Sequence, residues 1–245
     1  MYNLTNWLIK MTRLPHRRAV ARPRMGSRGQ PEESRAAILR AAAREFAELG
    51  IAGARTDAIA REARVNKALL YYYFKDKETL YGAVLDDAFS GLKATVFRVL
   101  DSELPPRDKV LAWANAYFDF IAKNQLYPRL MQREMMRAPE GQSPHIDKVI
   151  KNSIQPIFRR VSEVIQKGIG DGEFRAVDPA HFVPSVVAMI VFYFSSAPMM
   201  QKIVGFNPLS PERIVERRAS VLDFISAALF SPRHKSQIKA TQGAR

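Results

Sequence analysis

The chain has 245 residues, of which 47% are hydrophobic, and this is enough for one large or two small domains with a buried core. It contains no cysteine, which excludes disulfide and thiolate chemistry and favours a cytoplasmic protein. No apolar run reaches the roughly eighteen residues that a membrane-spanning helix needs, so we predict no membrane partner.

The basic residues are concentrated at the two ends of the chain. Residues 1–30 carry seven basic residues and no acid, and residues 233–245 carry four more, which leaves +3 of the formal net charge of +14 for the rest. The first segment is rich in proline and has no hydrophobic period, so we predict a disordered basic N-terminal arm over 1–30 and a basic tail over 232–245. The arm either follows a DNA backbone or minor groove, or is partly removed by a translation start at Met11 or Met25.

The first predicted helix covers residues 34–49. Its apolar residues Ile38, Ala42 and Phe46 recur at helical spacing. Gly50 follows them, and glycine is the residue that most readily takes the left-handed conformation of a helix end.

The stretch 56–77 predicts two short helices joined by a tight turn. Thr56 and Asn66 are of the residue types that cap helix N-termini, and we assign one to each helix. In the second helix Leu70 and Phe74 stand one turn apart and should point inward.

The opposite face of the second helix carries lysines and three consecutive tyrosines. Lys67 and Tyr71 are one turn apart, with Ala68 and Tyr72 beside them. Tyrosine hydroxyls and lysine ammonium groups bind phosphate oxygens, and a small alanine allows close approach to base edges, so this face suits a DNA groove. The alternative is that the tyrosines pack half-buried between helices and that the lysines are merely solvated.

Residues 38–80 resemble the DNA-binding domain of the TetR family of bacterial transcriptional regulators. The matching features are the helix ending FAELG at 46–50, the run Val65-Asn66-Lys67, the pattern Leu70-Tyr71-x-Tyr73-Phe74, and the pattern Lys75-x-Lys77-x-x-Leu80. Several such features in the right order make the resemblance highly specific.

The resemblance implies a set of DNA contacts. Thr56 and Lys77 would bind phosphates, and Lys67, Ala68 and Leu69 would face the bases. The positions that would meet the DNA backbone or thymine methyl groups are Tyr71, Tyr72 and Tyr73. Ala68 stands where many members have glycine and Leu69 where threonine or serine is usual, so Lys67 remains as the main base-reading residue.

The rest of the chain predicts a series of helices with proline-marked joints and no strand alternation. The predicted helices cover 77–102, 107–123, 128–137, 144–169 with a disturbance at Pro156, 179–196 and 211–230. Asp178 is the predicted N-cap of the helix that begins at Pro179. We therefore predict an all-α fold. In its layout it resembles the family: a three-helix helix-turn-helix DNA-binding domain over 31–80 and a helical ligand-binding and dimerisation domain over 81–231.

The last two predicted helices carry apolar stripes, and the family uses the corresponding helices for dimerisation. By pattern alone such a stripe is equally consistent with a monomer core. A homodimer is expected on physical grounds, because one DNA-binding domain contacts too few base pairs to define a genomic site. Two-fold symmetry would supply a second DNA-binding domain for the other half of a palindromic operator in double-stranded DNA.

The inner lining of the second domain is expected to hold a small hydrophobic or aromatic effector. The apolar residues predicted to form its wall are Trp113, Tyr117, Phe120, Met131, Met135, Phe158, Met189 and Phe192. Each of them is also consistent with simple core packing.

The sequence does not indicate catalysis. Its four histidines are scattered, and it has no glycine-rich phosphate loop and no clustered metal ligands, so we predict no enzymatic activity, no cofactor and no metal. The predicted function is a sequence-specific DNA-binding transcriptional regulator, a repressor released from its operator by the effector. The alternative is a non-specific architectural DNA-binding protein that acts through its basic tails.

Overall fold

The computed structural model describes residues 31–137 and 144–231. The predicted arm at 1–30 and tail at 232–245 lie outside these residues. Within them the protein is helical, which confirms the all-α prediction. The helices are α1 (Pro31–Gly53), α2 (Thr56–Glu62), α3 (Lys67–Tyr73), α4 (Lys77–Leu100), α5 (Pro106–Lys123), α6 (Leu126–Arg137), α7 (Pro144–Val149), α8 (Gln155–Gly170), α9 (Pro179–Ser195), α10 (Ala197–Val204) and α11 (Pro211–Leu229), with a π-helical turn at Ile150–Ile154 between α7 and α8.

Helices α1 to α3 form a small three-helix head around one apolar centre. Its side chains are fully buried or nearly so: Ile38, Phe46, Ile59, Leu70 and Phe74. Burial of side chains of this size is the main source of stability for so small a unit.

The predicted stop at Gly50 is an interruption within α1. Gly50 has φ 67° and ψ 176°, and one further helical turn follows it, to Gly53. Only glycine takes this backbone conformation without steric cost, which explains why it stands here. The interruption prevents regular i to i+4 pairing of the carbonyls that precede it.

The two predicted helix caps of the head differ in outcome. Asn66 is the N-cap of α3, and its Oδ1 accepts a hydrogen bond from the Leu69 amide at 2.7 Å, as predicted. The prediction that Thr56 is an N-cap is wrong. Arg55 is the N-cap of α2, with φ −114° and ψ 121°, and Thr56 is already the first helical residue. The Thr56 hydroxyl is therefore available for a contact outside its own helix.

Helix α4 runs from the head into the larger body formed by α4 to α11. It has 24 residues, so it is about 36 Å long. Asp76 caps its start by accepting from the Thr79 amide at 2.7 Å. Helix α4 packs on α1 in the head and on α5, α7 and α8 in the body, so it connects the two parts.

The disturbance predicted at Pro156 is the π-helical turn that precedes it. Proline has no amide proton and its ring crowds the carbonyl four residues earlier, which here belongs to Asn152. The chain responds with a wider turn, in which the Gln155 amide donates to the Ile150 carbonyl. The Asn152 carbonyl instead accepts a hydrogen bond from the Lys93 ammonium of α4 at 3.0 Å.

The end of α8 is closed by two stacked aromatic rings. Phe174 lies against Phe230 with 5.5 Å between ring centroids, and the Arg107 guanidinium lies over the Phe230 ring. Gly168 is required beneath this stack, because a Cβ atom there would lie 2.3 Å from two carbons of the Phe174 ring.

Helices α9 and α11 are close to their predicted bounds, but α10 between them was predicted as a loop. Asp178 caps α9 as expected, accepting from the Ala180 amide at 2.8 Å. After Ser196 the chain bends by 72° and forms α10, which ends at Gly205 with φ 75°.

Candidate DNA-binding face and its connection to the body

Helix α3 turns one face into the head and the other outward. Leu70 is fully buried, whereas Ala68 is exposed. Tyr72 is 80% exposed and Tyr71 43% exposed. Exposed aromatic surface of this size is unfavourable unless a partner covers it. The structure therefore presents two adjacent tyrosines on an outer face.

Two contacts join this outer face of α3 to the first turn of α2. The Lys67 ammonium lies 2.8 Å from Oδ1 of Asp57. One turn along, the hydroxyls of Tyr71 and Thr56 are 3.3 Å apart. The hydrogen bond and the charge of Lys67 lower the pKa of Asp57, and those of Asp57 raise the pKa of Lys67. Both groups are thus charged at neutral pH.

The remaining predicted DNA-contact residues of α3 are partly buried. Leu69 is half-buried at the edge of the outer face. Tyr73 is also half-buried, and its hydroxyl donates to the Pro31 carbonyl at 2.9 Å. Its ring packs edge-on against Tyr72 at 5.3 Å between centroids, so Tyr73 supports the exposed ring of its neighbour.

Lys77 begins α4 beside the end of α1. Its ammonium donates to the carbonyls of Ala52 and Ala54 at 3.3 and 3.1 Å. It thereby satisfies carbonyls that the end of α1 leaves without helical partners. One of its three protons is free of these two bonds.

Helix α6 reaches from the body into the head through Arg133. The Arg133 guanidinium donates to the Ala47 carbonyl at 3.1 Å and to the Glu48 carbonyl at 2.6 Å. These carbonyls lie three and two residues before the interruption at Gly50. A positive charge at the carbonyl end of a helix segment is also favoured by the helix dipole.

A second group of polar side chains joins α6 to α4. Glu134 is only 1% exposed and pairs with Arg137 at 3.1 Å. Arg137 also lies 3.5 Å from Glu78 of α4, which in turn contacts His145 at 3.2 Å. Burial, followed by the hydrogen bond to Glu134, raises the pKa of the Tyr81 phenol. A buried carboxylate is stable only with such partners, so the register between α6 and α4 is well defined.

The eight predicted effector residues are not all inside the body. Trp113 and Tyr117 are buried, and Phe120, Met131 and Met189 are half-buried. Three others lie on the protomer surface: Met135 and Phe192, each 62% exposed, and Phe158, 36% exposed. This corrects the expectation of an inner wall for these three, because the face of a helix that points inward is set by packing that the periodicity alone does not reveal.

Two features of the structure were absent from the predictions. Asp57 was not identified, although an acid beside Thr56 that faces a lysine on the next helix is a signal that the sequence contains. The second feature is an open groove of about 220 Å³ where α9, α10 and α11 meet. It is lined mainly by Tyr193, Met200, Val204, Phe206, Pro208 and Arg217. It could not be predicted while α10 was taken for a loop.

Other kinds of site have little support in the described ranges. Residues 31–137 and 144–231 contain no group of three His, Cys, Asp or Glu side chains arranged for a metal ion. In the same ranges no single helix is long and apolar enough to span a membrane, and the bent pair α9 and α10 meets that requirement only when taken together.

Two family models match most of the described chain. The model for bacterial regulatory proteins of the tetR family matches residues 38–84, and the model for the tetracyclin repressor-like C-terminal domain matches residues 106–225. The first match contains α2, α3 and the contacts made by Lys67. The second contains the helices from α5 to most of α11.

Relatives and solved structures agree with these matches. The chain is 37% identical over 174 residues to the HTH-type transcriptional repressor SCO4008 of Streptomyces coelicolor, covering 71% of this chain and 84% of that protein. It is 28% identical to the HTH-type transcriptional regulator RutR of Escherichia coli K12, over 69% of this chain and 77% of that one. The crystal structure of PfmR, a TetR family regulator from Thermus thermophilus, has the same fold with a TM-score of 0.62, at 23% identity, covering 78% of this chain and 97% of that one. The chain therefore belongs to the TetR family of bacterial regulatory proteins and is a sequence-specific DNA-binding transcriptional regulator.

Proposed function

We propose that this regulator is a dimeric repressor that leaves its operator when a small hydrophobic or aromatic effector binds the body. The observation that carries the proposal is the contact between α6 and the head, in which Arg133 binds the carbonyls of Ala47 and Glu48. Through it, a displacement of α6 by a ligand in the body would move α1. The name of the Streptomyces relative, a transcriptional repressor, supports the sign of the regulation.

The proposed DNA contacts centre on the outer face of α3. Lys67 reads a base edge in the major groove, and the exposed rings of Tyr71 and Tyr72 contact the backbone or thymine methyl groups. Ala68 allows the helix to approach closely, and Leu69 offers an apolar contact at the rim. Support for these roles comes from the exposure of this face and from its position opposite Leu70.

Tyr73, Thr56 and Lys77 contribute at the margin of the proposed DNA interface. Tyr73 acts mainly by holding the ring of Tyr72 in place, since its own hydroxyl is bonded to Pro31. Thr56 and Lys77 each keep hydrogen-bonding capacity for a phosphate beyond the contacts described above.

The proposed dimer forms through α9 and α11. The outer face of α9 carries small residues, Ser185 and Ala188, followed by the exposed ring of Phe192. The outer face of α11 presents Phe224, which is 58% exposed, and Ala227. Small residues allow two helices to approach closely, and an exposed aromatic ring supplies apolar area, so this surface suits a self-complementary two-fold interface.

The proposed effector site lies between α5, α6 and α9. The indole of Trp113 is buried, and its N–H has no hydrogen-bond partner among the described residues. Buried donors are normally satisfied, so a polar atom of an effector is a natural acceptor for it. Tyr117, Phe120, Met131 and Met189 supply the apolar surroundings, whereas Met135, Phe158 and Phe192 are left to surface contacts. Binding there would favour a form of the dimer whose heads are wrongly spaced for the operator.

The division of the chain follows from these roles. We assign DNA binding to residues 31–80 and effector binding with dimerisation to residues 81–231. An operator on the chromosome implies a cytoplasmic protein.

The DNA part of this proposal is tested by selecting bound sequences from a random duplex pool at physiological salt. Wild-type protein is expected to enrich a palindrome with half-site centres about 34 to 36 Å apart. The Lys67→Ala, Tyr71→Ala double variant should enrich nothing. Enrichment of a single half-site would refute the dimeric mode of binding.

The effector part is tested on the selected operator. Small aromatic and aliphatic compounds are first screened for those that raise the melting temperature of the wild-type protein but not of a Trp113→Phe variant. Each such compound is expected to weaken operator binding at saturation. Compounds that stabilise the body yet leave operator affinity unchanged would refute release as the mechanism.

A further inference from the structure

Asp57 stands on the DNA-binding face but carries the same sign of charge as DNA. Its carboxylate lies 2.8 Å from the Lys67 ammonium, the group proposed above to read a base. The side chain of Asp57 is 61% exposed and that of Lys67 50% exposed, so both are accessible to DNA. The pair therefore has to be included in any account of how α3 binds.

We propose that Asp57 is a specificity-determining residue, which withholds Lys67 from phosphates and yields it only to a base acceptor. This inference rests on the proposed role of Lys67. Asp57 itself would read no base. It would act by making the wrong complex less favourable, which is one of the two ways in which a protein discriminates between ligands.

The surroundings of Asp57 explain why its charge matters. The hydrogen bond and charge of Lys67, followed by the charges of Arg55 and Arg61, lower the pKa of Asp57, so its carboxylate lies within a basic patch. Without the carboxylate, this patch would be free to bind any phosphate, because phosphate binding is independent of sequence. With it, a phosphate that approaches Lys67 must displace a carboxylate already in place and is repelled by it.

A base edge in the major groove avoids most of that repulsion. Guanine O6 and N7 are neutral acceptors that face the groove, away from the phosphates. Lys67 can donate one proton to such an acceptor and keep another on Asp57, since an ammonium group has three. The same carboxylate that opposes a phosphate contact thus holds the ammonium in position for a base contact.

A second contact between α2 and α3 fixes the position of the Asp57–Lys67 pair on this face. The Tyr71 and Thr56 hydroxyls are 3.3 Å apart, on the same side of α3 as Lys67. Together the two contacts connect the first turn of α2 to the outer face of α3 at positions one helical turn apart. The Lys67 ammonium is therefore held between α2 and α3, beside the carboxylate of Asp57.

The test compares Asp57→Asn with wild type on two duplexes, the selected operator and a scrambled duplex of the same composition. Asparagine has the same shape, so the head is expected to fold, and circular dichroism verifies this. We expect binding to the scrambled duplex to rise about tenfold for the two heads together and operator binding to change less than about threefold. The slope of log K against log salt on the scrambled duplex should steepen by about 0.9 per head, the value for one new phosphate contact.

Glu62→Gln is the matched control, since Glu62 is an exposed acid of the same helix that pairs with Arg44 of α1 and not with a cation of α3. It removes the same charge and should leave both the ratio of affinities and the slope as in wild type. A further variant, Lys67→Met combined with Asp57→Asn, should show neither the gain nor the steeper slope, when compared with Lys67→Met alone.

Three results would overturn the inference. These are an unchanged ratio of affinities in Asp57→Asn, the same gain in Glu62→Gln, and a gain that persists when Lys67 is methionine, which would indicate general repulsion. Failure of the proposed function is recognised separately, because the wild-type protein would then bind both duplexes equally.

Discussion

The contact between Arg133 and the part of α1 that precedes Gly50 gives a quantitative prediction. Arg133→Met keeps the aliphatic stem but removes the hydrogen bonds to the Ala47 and Glu48 carbonyls. Hydrogen bonds from a charged donor contribute about 1.5–3 kcal/mol each. Both are partly open to water here, so we expect a total loss of about 2 kcal/mol, which is less than the sum of about 3 kcal/mol that two such bonds would give at the low end of that range.

The loss should be visible as a lower melting temperature and as faster hydrogen exchange at residues 47–54. For a chain of this size, 2 kcal/mol corresponds to a decrease in melting temperature of about 4–8 °C. Arg129→Met is the control, because Arg129 is an exposed arginine one turn earlier on α6. If the two variants have the same melting temperature, or if hydrogen exchange at residues 47–54 is unchanged in Arg133→Met, α6 does not stabilise the head through these bonds.

Three further outcomes are expected. Gly168→Ala should lower stability by about 1–3 kcal/mol in thermal unfolding, because its methyl group overlaps an aromatic ring, whereas Gly170→Ala, with open space around it, should be nearly neutral. Burial raises the pKa of the Tyr117 and Tyr127 phenols, so their contribution to stability is complete below the unfolded-state pKa of about 10 and decreases as pH rises above it; absorbance at 295 nm should show these phenols ionising only as the chain unfolds. Phe224→Glu should convert a dimer to monomers in analytical ultracentrifugation, and a variant that stays dimeric would exclude α11 from the interface.

The parts of the fold that were predicted correctly depend on local chemistry. Asn66 and Asp178 could be assigned as caps because their side chains bond an amide two or three residues away. Pro156 could be identified as a disturbance because proline acts on the carbonyl four residues before it. Such effects are contained in a few neighbouring residues and are therefore readable from the sequence.

The predictions that were wrong concern features that depend on tertiary contacts. Thr56 has the right chemistry for a cap, but the chain enters the helix one residue earlier and directs the hydroxyl to Tyr71. The eight-residue helix α10 is too short to be stable by itself, so its formation depends on contacts with the rest of the protein. Phe192 belongs to an apolar stripe that looks the same whether it faces the protomer core or a second molecule.

The proposed DNA-binding face of α3 also combines a part that the sequence predicts with a part that it does not. The outward direction of Lys67 and Tyr71 followed from the inward direction of Leu70 and Phe74, which periodicity gives. The ion pair with Asp57 did not, because it depends on the angle between two short helices. That angle depends on the turn at Arg64, which has φ 57°. A positive φ at an arginine is not predictable from the sequence, because this conformation is uncommon for residues other than glycine.

The π-helical turn at Ile150–Ile154 makes the length of this segment as important as its composition. An extra residue in a helix rotates everything beyond it by about 100°. Here the extra residue lets His145 face α4 on one side of the turn while Val161 and Ile165 enter the core on the other. Deleting any one residue of the turn would rotate α8 by about 100° relative to α7 and so misdirect one of these two faces. The spacing is thus under a constraint that a comparison of residue types, position by position, would miss.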